Sequence, residues 1–396
     1  MSSSHYYQYN MRSTIHCAAG SVIRIPALFE GMGAKRVVLF SDIGLEQAGI
    51  VDQIKAVFAS CSSNKAVLVG VYTGISQDAA CQSVNAATAY ARSVAADAIL
   101  AVGGGSVLDA SKGVKYSLQH GATDIADLLQ SGIKIDAWPS CQHSGIPHIG
   151  VPTTAGTGAE VSPVAVFYNE ALGIKTNLVA PFLEPDMAVL DGNLCLGLPD
   201  FLTAATGMDA LTHALEAVAS PTANAMTDAH AFHAAQMIVE NLPKVIDNGK
   251  DVVARSNMLQ ASSLAIDAFG GSLNAIPIHN CAHAFGGMFH IPHGDANAAL
   301  LPVVMEACPE FYAGKGQRLA KALNLSQNGS DQELLGNCIK FLKDFQQRIG
   351  CTTNFKRWEV NQDKQDAIYH AIASDPAAMF YSIPPTAMAK IVQAVC

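Results

Sequence analysis

The sequence predicts an α/β N-terminal dinucleotide-binding domain with a parallel sheet (residues 1–190) and an all-α C-terminal domain (residues 191–396). Three observations predict this. Short apolar runs alternate with amphipathic stretches through the first half. Two of those runs end in glycine- or threonine-rich turns. From about residue 195 the strand-like runs give way to long Ala-, Leu- and Met-rich segments.

In chain order, "KRVVLFSD" (35–42) is a β-type run, and a helical pattern follows at 45–59. "KAVLVGVYT" (65–73) is a second run, and the Ala-rich "QDAACQSVNAATAYARSVAA" (77–96) is helical. "DAILAVGGGS" (97–106) and "IPHIGVPTT" (146–154) are the third and fourth. Strand–helix alternation of this kind calls for right-handed crossovers and a parallel sheet. The stretch 131–145 has the composition of a surface loop. Helical patterns then occupy 201–219, 225–241, 251–268 and 279–288.

A chain of 396 residues suits two domains. Half of it is apolar and 14% is charged, which fits large buried cores and excludes a disordered chain. The net charge is −9 and the Lys and Arg residues are scattered, so neither nucleic acid nor an anionic membrane is an expected partner. The ten cysteines form no CxxC pair. They are read as reduced thiols of a cytoplasmic protein rather than a thiolate zinc site or redox couple. The opening "MSSSHYYQYNMRS" lacks the apolar stretch of a signal peptide, and the apolar runs are broken before membrane-spanning length.

Two turns suggest a nucleotide site. In "ILAVGGGSVLDASKG" (99–113), Gly103, Gly104 and Gly105 allow close backbone approach, and the helix starting near Ser106 directs free N–H groups at that point. The pattern is neither GxGxxG nor a Walker A loop, and alone it is equally a tight strand-to-helix turn. Asp109, one turn in, serves as a dipole partner on this reading. "PTTAGTGAE" (152–160) places Thr153, Thr154 and Thr157 after another strand, where hydroxyls can reach phosphate, ribose or the nicotinamide amide. Both loops lie at carboxyl ends of parallel strands, where open α/β sheets bind ligands. Asp42 ends the first run. It can accept from ribose hydroxyls and repel a 2′-phosphate, favouring NAD over NADP, or it can cap the next helix.

Two segments suggest a metal. "GMDALTHAL" (207–215) places Asp209 and His213 at i, i+4 on one helix face. "IPIHNCAHAFGGMFHIPHG" (276–294) supplies His279, His283, His290 and His293, with Gly286, Gly287 and Pro292 expected to break the helix and turn the chain back. One aspartate with three histidines and no thiolate suits a divalent transition metal such as Fe2+ or Zn2+.

Together, "GGGSVLDASK", "PTTAGTGAE", "TAATGMDALTHALEA" (203–217) and "CAHAFGGMFHIPHGDANAALLP" (281–302) resemble the iron-containing (group III) alcohol dehydrogenase family over most of the chain. The resemblance implies the dehydroquinate synthase-like fold of that family, with the active site in the cleft between its domains. It implies metal ligation by Asp209, His213, His279 and His293, with His283 beside the metal as a proton relay or as a residue orienting a ligand. It implies NAD contacts at Asp42, Gly103, Gly104, Gly105, Ser106, Asp109, Thr153, Thr154, Thr157 and Lys175. Phe269 is matched to a family phenylalanine that lines the substrate pocket, and Val164 adds a second apolar candidate. The implied activity is hydride transfer between a small primary alcohol and NAD, with a divalent metal as Lewis acid, in a homodimer or larger assembly. Glycerol dehydrogenase, maleylacetate reductase and a non-catalytic metal or nucleotide sensor are the alternatives. The sequence departs from the family pattern around 268–279 and at "MFYSIPPT" (379–386), in place of the common Asn-Pro-Arg turn.

Overall fold

A computed structural model describes residues 6–61, 65–130, 132–137, 139, 141–360 and 364–396. The chain divides into two compact units, Met11–Leu198 and Pro199–Cys396, the latter joined by the N-terminal stretch up to Asn10.

The described residues of the first unit form nine strands: β1 (Thr14–Cys17), β2 (Arg36–Phe40), β3 (Val67–Tyr72), β4 (Ala98–Gly103), β5 (Ile133–Ile135), β6 (His148–Pro152), β7 (Val164–Asn169), β8 (Ile174–Val179) and β9 (Met187–Leu190). Its α-helices are α1 (Ile25–Gly31), α2 (Ile43–Gln47), α3 (Ile50–Ser60), α4 (Cys81–Ser93) and α5 (Gly105–His120). Six strands form one sheet in the order β1-β9-β6-β4-β2-β3, with every pairing parallel.

The sheet is buried on both faces. Val38, Phe40, Ile99 and Ala101 enter one core, while Val37, Leu39, Ala98, Leu100 and Val102 enter the other. This is why "RVVLF" and "AILAV" are continuous apolar runs rather than alternating ones. From β2 the chain steps to β3 on one side and then crosses to β4 on the other. The strand order therefore reverses between β2 and β4, and the crevice beyond their carboxyl ends is the expected ligand position.

Some elements differ from the sequence expectations. The 45–59 helix is two helices, because Gly49 takes a left-handed φ of 76° between α2 and α3. The 77–96 helix starts at Cys81, because Asp78 and Ala79 both have positive φ. β1, β9 and the small sheet β5-β8-β7 carry no sequence expectation, and the described part of the supposed 131–145 loop contains β5. Strands of three to six residues hold too few periods to stand out. The β7–β8 hairpin does alternate half-buried with buried residues, and its turn closes on Gly173 with φ 68°.

The second unit is helical: α6 (Asp200–Ala219), α7 (Ala225–Asp247), α8 (Val252–Gly271), α9 (Pro277–Phe289), α10 (His293–Ala307), α11 (Pro309–Tyr312), α12 (Gly316–Ala322), α13 (Asp331–Ile349), α14 (Gln365–Ser374) and α15 (Pro385–Val395). α9 runs straight through Gly286 and Gly287, correcting the expected break there. It ends instead at His290, which caps it in the left-handed region (φ 54°), and Pro292 then precedes α10. Among the described residues no helix is long and apolar enough to cross a membrane. None of the ten cysteines, all among the described residues, is in a disulfide.

Candidate metal centre and nucleotide cradle

α6 carries Asp209, His213 and Glu216 at i, i+4 and i+7, one stripe along the helix. All three are buried. α9 contributes buried His279, and His293 is the first residue of α10. One donor atom from each of Asp209, His213 and His279 lies within 4.8 Å of the others. His293 Nε2 is 3.6 Å and His279 Nε2 4.0 Å from Asp209 Oδ1. The rings of His213 and His279 stack with centroids 4.7 Å apart.

The structure thus brings together the one carboxylate and three imidazoles singled out in the sequence. Ligands about 2.0–2.2 Å from one ion lie no more than about 4.4 Å apart, close to the spacing here. A second observation fits a cation. The Asn297 amide Nδ2 donates to Asp209 Oδ1 at 2.6 Å and lies 3.3 and 3.1 Å from Nε2 of His279 and His293. A hydrogen-bond donor therefore faces three of the atoms that a cation would face.

Two close approaches fix this arrangement. Gly294 lets α10 rest on α6, since a Cβ there would lie 2.7 Å from the Ala205 carbonyl oxygen. Glu216 ties the start of α9 to α6. Its Oε1 accepts from the Ile278 N–H at 2.7 Å, and its Oε2 is 2.5 Å from His279 Nδ1. Burial pushes the Glu216 carboxyl up to about 8 and the His279 imidazole down to about 3.

His283 stands beside this set rather than in it. Its ring stacks on His293 at 5.7 Å, and its Nδ1 is 3.4 Å from Asp375, whose Oδ1 also accepts from the Ala377 N–H. Phe269 lays an apolar ring against the imidazoles, 4.9 Å from His213 and 4.8 Å from His279 by centroid.

In the other unit, the nucleotide candidates gather at the carboxyl ends of β2, β4 and β6. Ser41 Oγ donates to the Val102 carbonyl at 2.8 Å, and the Thr153 N–H donates to the Gly103 carbonyl at 3.0 Å. The two loops touch. A Cβ on Gly105 would lie 2.8 Å from Thr157 Cγ2, and one on Gly104 would lie 3.4 Å from Thr154 Oγ1. α5 begins at this point with Gly104 as N-cap, no capping side chain and no acidic residue in its first turn. Its own first turn therefore leaves the positive helix end uncapped, as suits an anion site.

Asp42 takes the capping role, with Oδ1 accepting from the Leu45 N–H at 3.0 Å. The Asp109 carboxylate is engaged within the protein, by Lys112 Nζ at 3.1 Å and the Val166 N–H at 3.1 Å. Lys175 pairs with Asp78 at 2.8 Å, and the Asp78 N–H in turn donates to Ser106 Oγ at 3.0 Å. Val164 opens β7, and its carbonyl accepts from the buried Lys112 Nζ at 2.6 Å.

Residues 13–192 match the family model "Iron-containing alcohol dehydrogenase", and residues 203–395 match "Fe-containing alcohol dehydrogenase family, C-terminal". The chain belongs to the iron-containing alcohol dehydrogenase family. It is 36% identical over 307 residues to "Probable alcohol dehydrogenase EutG" of Escherichia coli (strain K12), covering 76% of this chain and 74% of that protein. It is 33% identical over 336 residues to "Long-chain-alcohol dehydrogenase 1" of Geobacillus thermodenitrificans (strain NG80-2), covering 85% and 82%. The solved structure of a 1,3-propanediol oxidoreductase is similar over 99% of this chain and 100% of that one, with a TM-score of 0.88 and 28% identity. As a member of this alcohol dehydrogenase family, the chain is an oxidoreductase acting on CH–OH donors.

For this family member, sequence reasoning passed over Glu216, Asn297, Asp375 and Asp78. Glu216 and Asn297 carried a signal. Glu216 follows His213 by three and Asn297 follows His293 by four, so each shares a helix face with a singled-out histidine. Asp375 and Asp78 are brought in by tertiary packing from distant segments and carried none.

Proposed function

We propose that the chain interconverts a small primary alcohol and its aldehyde, with NAD as the hydride carrier and a divalent metal held by Asp209, His213, His279 and His293. The observation that carries this reading is the convergence of those four side chains from three helices, with an amide N–H facing the ligating atoms of Asp209, His279 and His293. When bound, a cation such as Fe2+ or Zn2+ supplies a Lewis acid for the alcohol oxygen, and the nicotinamide supplies the hydride acceptor.

The chain's own residues do the rest. Asp209 contributes the one anionic donor, so the set suits a dication without cancelling its charge. Phe269 gives an alkyl group an apolar wall beside the imidazoles and keeps water from that side. His283, a quarter exposed and held by Asp375, takes the hydroxyl proton towards solvent. Gly103, Gly104, Gly105 and Ser106 present backbone N–H groups to the pyrophosphate, while Thr153, Thr154 and Thr157 offer hydroxyls. Asp109 braces the cradle from beneath through Lys112 and Val166, and Lys175 does so through Asp78. Ten cysteines without a disulfide support a cytoplasmic location, and we place the chain there as a homodimer or larger assembly.

The test is a panel of primary alcohols with NAD+ on protein of measured metal content. NADH formation from 1-propanol or 1-butanol, in proportion to bound metal, is expected. Its absence in metal-replete protein would overturn the reading. Cofactor choice gives a second expectation. The Asp42 carboxylate disfavours a 2′-phosphate, so Asp42→Gly should raise the ratio of kcat/KM for NADP to that for NAD by about 10-fold or more. An unchanged ratio would remove Asp42 from the account.

A further inference from the structure

We infer that Glu216 is a positioning residue of the metal site, one that fixes the ring of His279 and the nitrogen it turns towards a cation. The inference rests on the metal reading above. It starts from the geometry of α9. That helix begins with Pro277 after Ile276 and has no capping side chain of its own. The cap comes from another helix, because Glu216 of α6 accepts the Ile278 N–H on Oε1. The other oxygen, Oε2, meets His279 Nδ1.

Bound to a cation through Nε2, neutral His279 carries its proton on Nδ1, which then donates to the Glu216 oxygen beside it. Nε2 then presents a lone pair on the side where Asp209 and His293 lie. A histidine ligand held by a carboxylate in this way has its ring orientation fixed and its basicity raised.

A capping role alone and a positioning role predict different outcomes for Glu216→Gln. Glutamine keeps an oxygen for the Ile278 N–H, so the cap survives. Its NH2 group then faces His279 Nδ1 and can only donate. That moves the imidazole proton to Nε2, where it blocks ligation.

The experiment compares wild type and Glu216→Gln, both stripped of metal, by competition for Zn2+ against a chelating dye and by thermal melting with and without Zn2+. The metal-free variant should melt within about 4 °C of metal-free wild type. Its Zn2+ affinity should fall about 10–100-fold, with a correspondingly smaller thermal shift. Affinity within about twofold of wild type in a folded variant would overturn the inference and leave the four ligands standing. Failure of wild type to bind Zn2+ would overturn the metal reading itself, and this inference with it. Should the variant not fold, histidine 15N NMR of Zn2+-loaded wild type decides. A downfield Nδ1–H resonance that is lost in His279→Gln supports the role, and its absence from the wild-type spectrum refutes it.

Discussion

Asp209→Ala is expected to release the metal and to lower kcat/KM for a primary alcohol by about 10³-fold or more, the scale of losing Lewis-acid assistance worth several kcal/mol. Asp209 is the one carboxylate whose oxygen lies near both His279 and His293 while accepting from Asn297. Its removal takes away the only anionic donor of the set and leaves the Asn297 amide without its shortest acceptor. The alanine side chain is small and apolar, so the fold itself should persist. The check is metal analysis after dialysis alongside NADH formation. Metal retained at wild-type stoichiometry, or turnover unchanged in metal-free buffer, would count against the assignment.

Gly294→Ala should be nearly as damaging, although this residue has no side chain to offer. The added Cβ would meet the Ala205 carbonyl oxygen at 2.7 Å and its carbon at 2.9 Å. These are backbone atoms inside a helix and cannot swing aside, so α10 must move away from α6. Overpacking of this kind costs about 1–3 kcal/mol. Moving α10 also carries His293 away from Asp209, now 3.6 Å apart. A misplacement of about 1 Å in a catalytic constellation costs about 10²-fold in rate. Reduced metal retention, lower activity and a lower Tm are therefore expected together. Gly287→Ala is the control. A Cβ there meets nothing within 4 Å, and the residue is exposed on α9. It should leave metal content and activity unchanged. Wild-type metal content in Gly294→Ala would show that the contact does not position His293.

The long, strongly patterned elements were legible in the sequence because their physics is local. The apolar runs of β2 and β4 predict strands buried on both faces, and the cores on either side take alternate residues from each. The pair Asp209 and His213 could be placed on one face of α6 from spacing alone, and the cluster His279, His283, His290 and His293 stood out in its apolar context, with His279 and His293 chosen from it by the family resemblance. What spacing could not supply is the partner from another segment. Glu216 reads as one more polar residue near a helix end until α9 is packed against it. Asp375 is distant in sequence from His283 and meets it only through the tertiary fold. The turn at His290 was misread for a related reason. The glycines looked like the break, yet an exposed Gly287 is tolerated within α9, and the left-handed cap fell on a histidine.

The central claim is that Asp209, His213, His279 and His293 share one divalent cation. X-ray absorption at the metal edge of the purified, metal-loaded protein tests it most directly. The account predicts about three imidazole nitrogens and one carboxylate oxygen at about 2.0–2.2 Å, with one imidazole lost in His293→Ala. Sulfur in the coordination shell, or a spectrum unchanged by substituting any of the four residues, would contradict it.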